Sequence, residues 1–172
     1  MNTQEMREGE LSFDFSDARS VMRLDKVTPL PQGMKLVDFV VEENDRILLL
    51  EVKDPLPDAV PNKHRRRVKD KEIEKLKTKE LINMDLVPKA RDSYCYLHLM
   101  KLYKRPFDFI FFTGADRLGV TKELLLNFQD RLTARLRKET DKEWKLKYVR
   151  NCAVLTENDW IRIFGNYPVE RT

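Results

Sequence analysis

Met34-Lys35-Leu36-Val37-Asp38-Phe39-Val40-Val41-Glu42-Glu43-Asn44-Asp45-Arg46-Ile47-Leu48-Leu49-Leu50-Glu51-Val52-Lys53-Asp54 carries two apolar, β-branched-rich runs on either side of a polar break at Glu43 to Arg46. That pattern predicts a β-hairpin. Asn44 and Asp45 suit a two-residue turn, because both residue types tolerate a positive φ. Counting outward from that turn sets Asp38 directly opposite Glu51. Lys53 shares the face of Glu51, because strand side chains alternate with period 2. Three ionisable groups thus meet at the open end of an apolar hairpin. A longer, bulged turn would shift the pairing but leave Asp38 and Glu51 near neighbours.

Two carboxylates facing each other across a strand pair repel. Ile47 to Leu50 is a continuous apolar run, as in a strand buried on both faces. Charges at the end of such a strand need a compensating partner. A cation between them would serve, and hard oxygen donors suit Mg²⁺ or Mn²⁺. A lysine beside them can orient a water or neutralise a phosphate. The group reads as a metal site for phosphodiester hydrolysis. The bland alternative is a solvated hairpin end, with Lys53 paired to Glu51 or Asp54.

Asp38, twelve intervening residues and then Glu51-Val52-Lys53 closing an apolar strand resemble the PD-(D/E)xK nuclease superfamily, the restriction-endonuclease-like fold. Val37 stands where the motif's name has proline. The resemblance implies an α/β fold with a central mixed β-sheet flanked by helices. It implies that Asp38 and Glu51, with the backbone carbonyl of Val52, hold Mg²⁺ (or Mn²⁺). Lys53 would position or help deprotonate the attacking water and stabilise charge on the phosphate, in an in-line displacement that leaves a 5′-phosphate. The superfamily often adds an acid from its first helix; Glu10, Asp14, Asp17 and Asp25 are candidates, with Asp17 favoured. It also carries a polar or basic residue on the helix after the Glu-x-Lys strand, for which Lys89 and Arg91 are candidates. The implied partner is nucleic acid, DNA favoured, with a homodimer or a specificity-giving protein as further partners. The same fold without turnover, as a nucleic-acid-binding or assembly module, is the alternative.

At 172 residues the chain reads as one domain, 1–172, long enough to bury a core. Its charged fraction is 36%, well above the usual quarter or so, yet the net charge of +4 is unevenly spread. From Asn62 to Glu80 nine basic residues face four acidic ones, a local +5 that leaves the rest at −1. This basic segment, within 55–87, suits a phosphate-contacting surface, with Arg65, Arg66 and Arg67 the chief candidates. It reads equally as a mobile helical flap that orders on a ligand or as a solvated helix with Glu–Lys pairs. Cys95 and Cys152 have neither CxxC nor zinc spacing and read as buried free thiols, which suits a reducing cytoplasm. No signal peptide and no apolar stretch of about 18 residues is present, so no membrane is expected.

Residues 1–10 read as a frayed end and 17–25 as a short helix capped by Ser16. The superfamily core calls for a third meandering strand; Ser12 to Phe15 and Leu24 to Thr28 are the candidates. Asp85-Leu86-Val87-Pro88 reads as a helix start, leading into a helix from Lys89 to about Tyr103. Its first turns favour anions. His98, mid-helix, reads as a packed or half-exposed residue. Phe107 to Thr113 is a buried strand that a crossover would place in the hairpin's sheet. Val120 to about Lys138 has a 3.6-period apolar stripe and reads as a helix. Trp144 to Leu155 holds one or two strands, Thr156 to Phe164 a short helix or strand, and the tail from Asn166 is expected to be loose.

Overall fold

The computed structural model describes residues 6–172. Its centre is a five-stranded mixed sheet. Three strands, β3 (Ser20–Arg23), β4 (Phe39–Glu42) and β5 (Ile47–Lys53), form an antiparallel meander. β6 (Phe107–Thr113) and β7 (Asn151–Leu155) extend it in parallel, giving the order β3-β4-β5-β6-β7. A parallel neighbour needs a long crossover. Between β5 and β6 that crossover consists of α1 (Asn62–Lys77), a single π turn (Ile82–Leu86) and α2 (Val87–Leu99). Between β6 and β7 it is α3 (Lys122–Leu136). A smaller sheet joins β1 (Arg7–Glu8), β2 (Leu11–Phe13) and β8 (Val169–Arg171), and α4 (Glu157–Ile163) precedes β8. This is an α/β fold, as the sequence leads one to expect.

The period-2 rule sorts the core into two halves. Ile47 and Leu49 of β5 pack with residues of α1, α2 and α3 on one face of the sheet. Leu48, Leu50 and Val52 pack on the other face with Phe13, Phe15, Trp160 and Tyr167, from the small sheet, α4 and their joining loops. One face is therefore covered by helices and the other mainly by a second sheet. Glu51 and Lys53 continue the Ile47–Leu49 series and so belong to the helical face.

The hairpin register is the one counted from the sequence. Phe39 pairs with Leu50 and Glu42 with Ile47, and Glu43 N–H donates to the Arg46 carbonyl at 2.9 Å. Neither Asn44 nor Asp45 adopts a positive φ, so the turn is two residues long without the left-handed backbone anticipated for it.

Several expectations for the N-terminal third are corrected. Residues 17–25 are not a helix. The Asp14 carboxylate accepts the Ser16 N–H at 2.9 Å, making an Asx-type turn at the residue taken for a helix cap. Ser20–Arg23 then becomes the third meander strand, offset from both candidates; Leu11–Phe13 is a strand of the small sheet instead. An edge strand partly covered on both faces shows no clean alternation, which is why Val21 and Met22 read as helical. The frayed reading of residues 1–10 lies outside the described residues up to position 5; Arg7–Glu8 is paired with β2. The tail after Asn166 is held as well, with Val169–Arg171 paired to Leu11–Phe13.

Elsewhere the differences are smaller. α2 begins two residues early and ends at Leu99. Thr156 and Asp159 form a reciprocal capping box that starts α4. Cys95 and Cys152 are free thiols but only partly buried. The 55–87 segment is helical over Asn62–Lys77, which both readings of it expect. Among the described residues no helix is long and apolar enough to cross a membrane.

Candidate metal and phosphate site

The hairpin opens at Asp38 because β4 leaves the sheet there. Val37 N–H, instead of joining the ladder, donates to the buried Ser93 hydroxyl on α2 at 2.9 Å. Lys35 N–H donates to Asp92, also on α2, at 2.9 Å. The Val52 N–H, opposite the departing strand, is taken by the Asp38 carboxylate at 2.7 Å. The Asp38 carbonyl in turn accepts Leu24 N–H at 2.9 Å. Asp38 is 5% exposed and Glu51 1%, so both carboxylates are buried.

Glu51 is met by two lysines. Lys89 Nζ donates to Glu51 Oε1 at 2.6 Å, and Lys53 Nζ lies 3.4 Å from the same oxygen. Lys53 also reaches Asp85 Oδ2 at 2.7 Å. Glu51 Oε2 is buried with no hydrogen-bond partner. Burial, and then the charge of Asp38, push the Glu51 carboxyl up to about 8, against the pull of Lys89 and Lys53. Burial pushes Asp38 up to about 6, with Lys89 and the Val52 N–H pulling the other way. Burial alone would lower both ammonium groups, yet the facing carboxylates hold Lys53 and Lys89 above the ordinary lysine value.

Asp85 is presented by the π turn. Pro88 has no N–H and cannot bond the carbonyl four residues back. That carbonyl, Met84 C=O, accepts Lys35 Nζ at 2.5 Å instead, and Val87 N–H reaches Ile82 C=O five residues back. The widened turn is thus tied to the strand segment that delivers Asp38. Isolated π turns recur at functional sites.

A second group of acids adjoins the first. Carboxylate oxygens of Glu8, Asp25 and Asp38 lie within 4.8 Å of one another. Arg23 bridges Glu8 at 2.5 Å and Asp25 at 3.1 Å, which offsets part of that charge. Around Asp38 five carboxylates (Glu8, Asp25, Asp38, Glu51, Asp85) face three cations (Arg23, Lys53, Lys89). The donor set fits a hard divalent cation: oxygen atoms only, an excess of carboxylate and one buried carboxylate oxygen with no partner. A cleft of about 520 Å³ lies beside it, lined by Glu8, Glu10, Val52, Lys53, Pro57 and Glu72 among others.

The structure brings together Asp38, Glu51, Val52, Lys53 and Lys89 from the sequence reading. It does not bring Asp17, which lies exposed on the turn before β3 and whose charge bears on Tyr167, itself bonded to Glu43 at the hairpin's turn end. Asp25, a lesser candidate, is the acid that adjoins Asp38. Arg91 pairs with Asp92 at 3.2 Å and Glu139 at 3.3 Å, away from Glu51. Arg65 donates to the Pro57 and Val60 carbonyls and secures the entry to α1. Arg66 and Arg67 project from α1 into solvent. His98 is exposed and stacks on Tyr94. Sequence reasoning missed Glu8, Arg23 and Asp85. Asp85 looked like a cap residue because a π turn leaves no periodic mark, and Glu8 lay in a segment taken for frayed.

No protein-family model, curated protein or solved structure matches the chain.

Proposed function

We propose that the chain is a metal-dependent nuclease, hydrolysing phosphodiester bonds of nucleic acid, DNA favoured, at the Asp38–Glu51–Lys53 site. The observation that carries this reading is Glu51 Oε2: a buried carboxylate oxygen without a partner, on the strand opposite Asp38, with Lys53 beside it. Leaving such an atom unpaired costs about 1–3 kcal/mol or more, a cost that a bound Mg²⁺ or Mn²⁺ would relieve. The β3-β4-β5 meander also supplies the three strands that the PD-(D/E)xK resemblance calls for.

Asp38, Glu51 and the Val52 carbonyl would hold the metal, which lowers the pKa of a bound water and polarises the phosphoryl oxygen. Lys53, held cationic by Glu51 and Asp85, would stabilise charge on the phosphate rather than serve as base. The water oxygen bonds to phosphorus as the bond to the 3′ oxygen breaks, and the water's proton passes by way of solvent to the departing oxygen. Arg66 and Arg67 on α1 would attract the backbone without reading sequence, giving steep salt dependence.

A second reading is a binding or assembly module of the same fold. The Lys89–Glu51 contact favours it, since an internal ammonium already compensates one carboxylate oxygen. A cleavage panel with Mg²⁺ or Mn²⁺ decides between them: linear, circular, branched and single-stranded DNA, and RNA, with Asp38→Ala and Lys53→Ala beside the wild type. Cutting that disappears in both folded variants supports the nuclease. No cutting, with a metal-induced rise in Tm, supports the module. Neither cutting nor a metal effect discards both.

A further inference from the structure

The loop between α3 and β7 is the most basic stretch the sequence reading left unused. From Arg135 to Arg150 seven basic residues face three acidic ones. Arg135 pairs with Glu139 and Arg150 with Asp108. Arg137, Lys142, Lys145 and Lys147 are exposed and, among the described residues, make no ion pair. The same loop exposes two large apolar side chains, Trp144 at 43% and Leu146 at 64%. Solvated charge alone does not explain those two.

The loop's geometry is fixed rather than slack. Lys138 and Glu143 form an isolated antiparallel bridge, and Trp144 N–H donates to the Arg137 carbonyl at 2.9 Å. Trp144 therefore stands at a set place beside α2. A cleft of about 470 Å³ opens there, lined mostly by Arg91, Tyr94, Trp144, Lys145, Leu146 and Tyr148. A smaller cavity of about 260 Å³ shares Trp144, Leu146 and Tyr148 with it. The floor is aromatic and aliphatic; the rim carries Lys145, the ion-paired Arg91 and Glu143, with Lys147 exposed next to Leu146. Arg91, on that rim, is two residues from Lys89, whose ammonium touches Glu51. Side chains two apart on a helix do not face each other, so the cleft and the carboxylate site draw on different sides of the same turn of α2.

We propose that this cleft binds unpaired nucleic acid, with Trp144 stacking on a base and Lys145 and Lys147 holding the flanking phosphates. An exposed aromatic ring flanked by unpaired lysines is what a single strand needs and a closed duplex does not use, because duplex bases are already stacked. An acidic peptide would be drawn to the lysines but has no general use for a flat indole. The choice of nucleic acid over another polyanion rests on the nuclease reading; the binding itself does not require cleavage.

The chain carries its own probe. It has two tryptophans, and Trp160 is fully buried with its ring N–H donating to Tyr167 C=O at 2.7 Å. Fluorescence quenching by a ligand in solution therefore reports on Trp144. The full chain is titrated with unstructured oligothymidylate in EDTA, and separately with duplex DNA, heparin and phosphatidylglycerol vesicles. The expected result is saturating quenching by the single strand and much weaker quenching by the other three. Trp144→Leu should abolish quenching and weaken binding of a dye-labelled strand about tenfold or more, since one stacked base is worth about 1–3 kcal/mol. Lys145→Gln/Lys147→Gln should flatten the salt dependence by the equivalent of about two phosphates. Absence of quenching, unchanged affinity in Trp144→Leu, or equal binding of heparin, duplex or vesicles overturns the proposal. Because the titration runs without metal, quenching there with no cutting in the Mg²⁺ or Mn²⁺ panel sinks the nuclease reading alone, and cutting in the panel without quenching here sinks this one alone.

Discussion

Lys89 Nζ lies 2.6 Å from Glu51 Oε1, so the first residues of α2 neutralise a carboxylate buried at the end of β5. Breaking a buried pair by removing one partner typically costs about 3–5 kcal/mol. Lys89→Met should therefore destabilise the protein by up to about 3 kcal/mol at pH 9, where Glu51 is ionised. At pH 5 the loss should be much smaller, because Glu51 can then hold its proton. Urea unfolding at the two pH values measures this. An equal loss at both would mean that Lys89 acts through packing rather than charge.

Stability should fall as pH rises through neutrality. The Asp38 carboxyl stands at about 6 in the folded chain against an ordinary 3.8, and Glu51 at about 8 against 4.5. Between each pair of values the folded chain keeps a proton that the unfolded chain has lost. The stabilisation is fully present below about pH 4 and is lost as pH climbs through about 6 and then about 8. Glu51→Gln should remove the part of the slope that runs to pH 8. Added Mg²⁺ should act in the opposite sense and raise Tm more at pH 8 than at pH 5, since metal binding needs deprotonated carboxylates. Tm profiles with EDTA and with Mg²⁺ check both signs; a Tm indifferent to Mg²⁺ at every pH would count against the metal site.

The hairpin was readable because its two runs are apolar and separated by a short polar break, and the two-residue turn assumed at Asn44-Asp45 gave the register by counting. β6, α2 and α3 were readable for related reasons, each having a strong apolar run or stripe bounded by Pro, Gly or a cap. β3 was not, because an edge strand of four residues, partly covered on both faces, has no period to detect. At the site, local counting put Asp38, Glu51 and Lys53 together, and the nuclease-family resemblance put forward Lys89, with Arg91, on the helix after the strand. Glu8, Arg23 and Asp85 arrive by tertiary approach: one from a second sheet, one from an edge strand, one from a widened helical turn. Nothing local distinguishes those residues from ordinary surface charges.

Asp85 holds Lys53 at 2.7 Å, and the π turn that carries it is tied by Lys35 to the strand leading into Asp38. Asp85→Asn should free the Lys53 ammonium to wander. Partly exposed pairs are worth about 1 kcal/mol or less, so folding should hardly change. The effect should appear in turnover instead, with kcat down about tenfold or more and KM nearly unchanged. Steady-state cleavage kinetics on the best substrate of the panel, beside a thermal melt, separate the two. A rise in KM alone would make Asp85 a contributor to binding rather than to the placement of Lys53.

Gly114 offers a control that touches the fold and spares the site. Its N–H donates to the Lys53 carbonyl at 3.0 Å, and it packs against an ion pair just past β5. A Cβ there would stand 2.8 Å from Asp54 Oδ1 and 3.1 Å from Arg171 Nη2. Asp54 has little room to move, because Arg171 binds both of its oxygens, at 2.6 and 3.1 Å. Gly114→Ala should therefore cost about 1–3 kcal/mol by overpacking. Its Mg²⁺-induced shift in Tm should stay near that of the wild type, since neither Asp38 nor Glu51 is displaced. Glu51→Gln should do the reverse, losing the Mg²⁺ response without losing stability at pH 8. If Gly114→Ala instead loses the Mg²⁺ response at temperatures where it is folded, the Asp54–Arg171 pair sets the position of the β5 end, and the metal site extends to that pair.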